Sequence, residues 1–194
     1  MVIGFAACLF SVEQTFAQLK LDEAGKLNLF QDFRFRLEQD WNSHRADGTM
    51  RSDRGRARIR VRTKLQYSPT PLLTLGIRIR TGSTGSQQAS HLTIYDFNSN
   101  PNGDYHLLPD QWYARVSGTR AWAWAGRNGL PVWKQNEFLW DDDVIPIGLA
   151  AGYTHTGESA QISVNSGYFL LPDGGIGVNG RVLVGQVVSA IKTE

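Results

Sequence analysis

RARIRVRTKLQY, residues 56–67, decides the fold. Its even positions hold Arg56, Arg58, Arg60, Arg62, Lys64 and Gln66, and its odd positions hold Ala57, Ile59, Val61, Thr63, Leu65 and Tyr67. Side chains on a strand alternate between faces, so as a strand this segment is cationic on one side and apolar on the other. Wound as a helix it would scatter the arginines around the circumference and leave no apolar stripe. Ser68-Pro69-Thr70-Pro71 then interrupts the chain, because proline fixes φ and cannot donate to a β ladder. LLTLGIRIRTG, residues 72–82, resumes the pattern: Leu73, Leu75, Ile77 and Ile79 on one face, Thr74, Gly76, Arg78 and Arg80 on the other. The reading is an antiparallel hairpin with two unlike faces.

Upstream, Leu27, Leu29, Phe33, Phe35 and Leu37 alternate with Asn28, Asp32, Arg34, Arg36 and Glu38, with Phe30 and Gln31 out of step and Trp41 closing the run. Downstream, strands are expected at Gln111–Ser117, Arg120–Arg127, Ile147–His155, Ala160–Leu170 and Arg181–Ala190. That makes about eight strands and no helix, joined alternately by short turns and by long loops at 82–108, 128–146 and 172–180.

Composition narrows the classes. The chain has 194 residues and a net charge of +2, so it is not a uniformly basic nucleic-acid binder, although residues 54–80 are strongly cationic. Its one cysteine, Cys8, excludes a disulfide framework, and no apolar run reaches the roughly 18 residues of a spanning helix. Val2–Phe10 is apolar and Thr15-Phe16-Ala17 offers small residues for cleavage, so residues 1–17 read as a signal peptide. No Lys or Arg precedes the apolar run, so its start is expected to be truncated; a buried N-terminal strand or helix is the plainer alternative.

Residues 18–194 then read as one all-β domain. Amphipathic strands joined alternately by short and long connections are the layout of an outer-membrane β-barrel, apolar outside and polar inside. Consecutive cations on one strand face repel each other unless water or acids oppose them; a water-filled lumen supplies the water, and acidic loops folded inward supply the acids. Arg34, Arg36, Arg56, Arg58, Arg60, Arg62, Lys64, Arg78 and Arg80 are the expected lumen-facing residues, and Asp141, Asp142 and Asp143 the candidate constriction acids. Trp41, Tyr67, Trp112, Trp122, Trp124 and Tyr168 lie near strand ends, where interfacial girdles form.

GRARIRVRTKLQYSPTPLLTLGIRIRTG (55–82) and GLPVWKQNEFLWDDDVIPIGLAAGY (129–153) resemble a porin family of Gram-negative outer-membrane proteins. That family carries an R-x-R-x-R strand, a turn, and G-x-R-x-x-T/S-G, followed later by an L-V-W-D-x-D-L-x-P-E-G segment. Leu139-Trp140-Asp141-Asp142-Asp143, Pro146 and Gly148 follow the later motif, while Ile147 stands where the family often has Glu and Gly129–Trp133 is a looser match. The resemblance spans roughly residues 27–190. It implies a passive diffusion pore in the outer membrane, with lipid and small hydrophilic solutes as partners, no cofactor and no enzymatic residues; homo-oligomerisation of a full-length form stays open. A pore of about 16 strands at roughly 20 residues each exceeds 300 residues, so the chain is expected to be the N-terminal part of a larger, incomplete barrel. A closed eight-stranded barrel would have an interior filled by side chains.

Two other readings compete: an arginine-rich nucleic-acid-binding β protein, and a non-conducting structural barrel. The strict period of two and the apolar opposite face argue against a basic RNA-binding arm. His44, His91, His106 and His155 lack metal-ligand spacing, no nucleophile elbow frames a serine, and the Asp141–Asp143 run reads as a solvated or arginine-facing loop before a calcium site.

Overall fold

β3 (Arg54–Tyr67) is the hub of the sheet. Along its whole length it pairs antiparallel with β2 (Leu27–Asp40), setting Asp32 beside Arg62, Arg34 beside Arg60 and Glu38 beside Arg56. Its C-terminal half pairs with β4 (Leu73–Thr81) across the proline turn, with Arg62 opposite Arg80 and Lys64 opposite Arg78. The computed structural model describes residues 15–45, 47–84, 90–98, 105–134, 141–170 and 180–191.

The other strands are β1 (Thr15–Lys20), β5 (Leu92–Asp96), β6 (Leu107–Ser117), β7 (Ala121–Arg127), β8 (Ile147–Thr156), β9 (Ala160–Leu170) and β10 (Arg181–Ile191). All ten lie in one antiparallel sheet, ordered β1-β2-β3-β4-β6-β7-β8-β9-β10, with β5 beside β3. The sheet is not closed: β1 pairs with β2 alone and β10 with β9 alone. The described residues contain no helix.

The eight strands expected become ten. β1 contains the three residues expected to flank a cleavage site; residues 1–14 lie outside those described. β5 falls inside the expected 82–108 loop. It exists because β4 covers only Arg62–Tyr67 of β3, and β5 takes the vacant partners Arg56–Ile59. β6 begins four residues before its expected start, and its register against β4 shifts between Arg78 and Ile79. Leu139 and Trp140 of the second motif and residues 171–179 lie outside the described residues.

The sheet has inverted polarity. Arg60 and Arg80 are each only 4% exposed, whereas Leu65, Leu75, Ile77 and Ile79 on the opposite face are all exposed. The apolar face continues across the later strands through Trp112, Leu149, Tyr153, Val164 and Leu183. On the covered face of β7–β9, Trp124, Ala150 and Phe169 form a small cluster, joined by Trp122, Leu130 and Val184. Two of the expected girdle residues, Trp122 and Trp124, therefore point inward. Their cross-strand neighbours Gly152 and Ala150 are small enough to leave room for the indoles.

Candidate functional site

The site is the covered face of β2, β3, β4 and β6. The alternation in β2, β3 and β4 puts their even residues on this face, and cross-strand register stacks the cations side by side. Such a stack is tolerable only if carboxylates answer it. Arg60 donates to Asp32 at 2.7 Å, and Arg62 approaches the same carboxylate at 3.7 Å. Glu38 receives Arg36 at 3.1 Å, Arg56 at 2.7 Å and Arg58 at 3.1 Å. Asp40 receives Arg54 at 2.8 Å and Arg56 at 3.6 Å.

Asp110 serves β4. Arg78 reaches it through Nε and Nη2, and Arg80 lies 3.7 Å away. Asp110 is the extra residue of a β-bulge, for Arg78 faces Gln111 while Ile79 faces Pro109. A bulge re-aims a side chain, and here it turns a carboxylate onto the arginine face, 3% exposed.

The fifth acid comes from the loop between β7 and β8. Its first part is held to β10: the Trp133 backbone N–H donates to Gln186 at 2.7 Å, and the Gln186 amide donates back to the Trp133 carbonyl at 2.6 Å. Its last part reaches β3, where Asp143 pairs with Arg62 and lies 3.9 Å from Arg60, and Asp142 pairs with Lys134 at 2.5 Å. Its two described ends thus meet the covered face at β10 and at β3.

Between this loop and the cationic wall lies a cavity of about 590 Å³, lined by Arg34, Arg60, Arg62, Lys64 and Arg78 on one side and Asp141, Asp142 and Asp143 on the other. Lys64 differs from its arginine neighbours. Its ammonium sits 5.8 Å from the Phe30 ring centroid and 5.2 Å from that of Tyr113, the distance range of a cation–π contact. No carboxylate pairs with it among the described residues. Tyr113 reaches this position by lying over Gly76, where a Cβ would meet its ring at 2.5 Å.

His91, just before β5, packs against the ladder's far end, where its carbonyl accepts from Arg58 at 3.0 Å. Burial pushes its imidazole down to about 3, and the fields of Arg36, Arg58, Arg60 and Arg34 add to that.

The nine cations expected from the sequence share one face. Five of them line the cavity; Arg36, Arg56 and Arg58 gather around Glu38, and Arg80 joins Arg78 at Asp110. Asp141 to Asp143 line the same cavity. Asp32, Glu38, Asp40 and Asp110 were not anticipated as partners. For Asp32 and Glu38 the signal was present, since they share the parity of Arg34 and Arg36; for Asp110 it was hidden by the bulge. No family model, curated protein or solved structure matches this chain.

Proposed function

We propose that this chain is an outer-membrane β-barrel protein of the porin type, its apolar face against lipid and its cationic face along a watery path for small hydrophilic and anionic solutes. The observation that carries this reading is the inverted polarity of the sheet. Buried arginines behind exposed Leu, Ile, Trp and Tyr side chains invert what a water-soluble sandwich displays, and they suit a strand that meets hydrocarbon outside and water inside. Antiparallel pairing throughout and the Asp141–Asp143 segment seated on the polar face agree with it. The nucleic-acid alternative needs arginines presented to a phosphate backbone; here they are covered and engaged with carboxylates.

The test is site-directed spin labelling in lipid vesicles on a Cys8→Ser background. Nitroxides at Ile77 and Leu183 should be relaxed by oxygen and shielded from a water-soluble nickel complex. Labels at Gln66 and Ser163, on the covered face, should show the reverse. Equal water accessibility at all four positions would reject the reading.

A further inference from the structure

We propose that the cavity between β3 and the Asp141–Asp143 segment is a subsite for a small zwitterion, whose carboxylate docks on Lys64 and whose ammonium docks on Asp141. The inference rests on the porin reading only in that solutes must reach the cavity. It follows from which charges are already neutralised. Arg60 is taken by Asp32, Arg62 by Asp143, Arg78 by Asp110, and Asp142 by Lys134. Arg34, on the same wall, is engaged as well, whereas Lys64 has aromatic rings but no carboxylate beside it among the described residues. On the acidic wall there remains Asp141, whose Oδ1 accepts the Asp143 backbone N–H at 2.8 Å and which has no cation partner among the described residues.

Both groups line the same cavity. A lone anion would satisfy Lys64 and be repelled by Asp141, and a lone cation would do the opposite. A solute carrying both charges satisfies the two walls together. The Phe30 and Tyr113 rings hold the Lys64 ammonium in place, so little side-chain freedom is lost when a carboxylate arrives. The volume of about 590 Å³ falls in the range of small-molecule sites.

The test uses the full chain folded in detergent micelles and three probes built on three carbons each: β-alanine, propionate and propylamine, titrated by calorimetry. β-Alanine should bind about tenfold more tightly than either single-charge probe. Lys64→Met should lower its affinity to that of propylamine, and Asp141→Asn to that of propionate. Lys64→Arg keeps the charge and should keep the preference, which separates loss of charge from loss of fold. Equal binding of β-alanine and propionate, or a Lys64→Met variant with undiminished β-alanine affinity, would overturn the assignment. Lipid-facing labels at Ile77 and Leu183 without a zwitterion preference would leave the porin reading and remove the subsite. Water-exposed labels with the preference intact would do the opposite.

Discussion

Arg78 donates from Nε and Nη2 to the two carboxylate oxygens of Asp110, at 2.9 and 2.6 Å. This bidentate pair is nearly buried, and removing one partner of such a pair strands the other charge at a cost of about 3–5 kcal/mol. Asp110→Asn should lower the urea midpoint of the micelle-folded chain accordingly. The double variant Asp110→Leu/Arg78→Met, which removes both charges, should recover most of the loss. Failure to recover would mean that the bulge itself, rather than the ion pair, carries the stability.

Reversing charge on the cationic wall should reverse what passes it. On the porin reading, the reversal potential across a bilayer in a salt gradient should indicate anion preference for the natural chain. It should shift towards cations in Arg60→Glu/Arg78→Glu, since cations packed this closely sum their fields within a Debye length of about 10 Å. An unchanged potential would mean that this face does not line the conducting path.

His91 makes stability depend on pH. Its folded pKa of about 3 lies below the ordinary value of 6.5, so below pH 6.5 the unfolded chain binds a proton that the folded chain refuses. Stability contributed by the neutral ring is present above pH 6.5 and is lost as pH falls towards 3. Denaturation midpoints at pH 7 and pH 4 should therefore differ less in His91→Gln than in the natural chain. The same difference in both proteins would remove His91 from the account.

Two glycines should respond oppositely to alanine. At Gly167 a Cβ would run into the Phe169 ring and lies 3.1 Å from the Ala150 Cβ, so Gly167→Ala should destabilise by about 1–3 kcal/mol through overpacking of the inner cluster. At Gly185, on β10, nothing lies within 4 Å. Gly185→Ala should be neutral or stabilising by up to about 1 kcal/mol, because it restricts the unfolded chain. Denaturation of the two variants side by side is the check.

Because β10 pairs on one side alone, hydrogen exchange along it should alternate. Amides directed at β9 should be protected and those directed at the free edge should exchange quickly, whereas β8 and β9 should be protected throughout. Uniform protection across β10 would reveal a strand on that edge.

The hairpin of β3 and β4 could be read from its residues because period two is a local property and its two faces differ so sharply. β5 could not, for Leu92–Asp96 becomes a strand only because β4 stops pairing at Arg62. The cationic wall was legible for the same reason as the hairpin, and Asp143 followed from the need for opposing acids. Asp32 and Glu38 stood on the polar face of β2, but pairing them with Arg60 and Arg56 requires the register of two strands separated by a loop at 41–53. Asp110 was out of reach, since a bulge reverses parity midway along β6 and no local pattern announces it. The inward turn of Trp122 and Trp124 likewise depends on small residues in a strand more than twenty positions away.

The outward apolar side chains bear on how the chain arrives at this arrangement. Hydrophobic collapse in bulk water would draw Phe33, Ile77, Leu149 and Leu183 together and expel the guanidinium groups, reversing the polarity seen here. Turning the whole sheet over changes no pairing, because the register already sets apolar beside apolar and cation beside cation. On the porin reading, then, the pairing alone does not decide which face turns inward; the medium around the strands does.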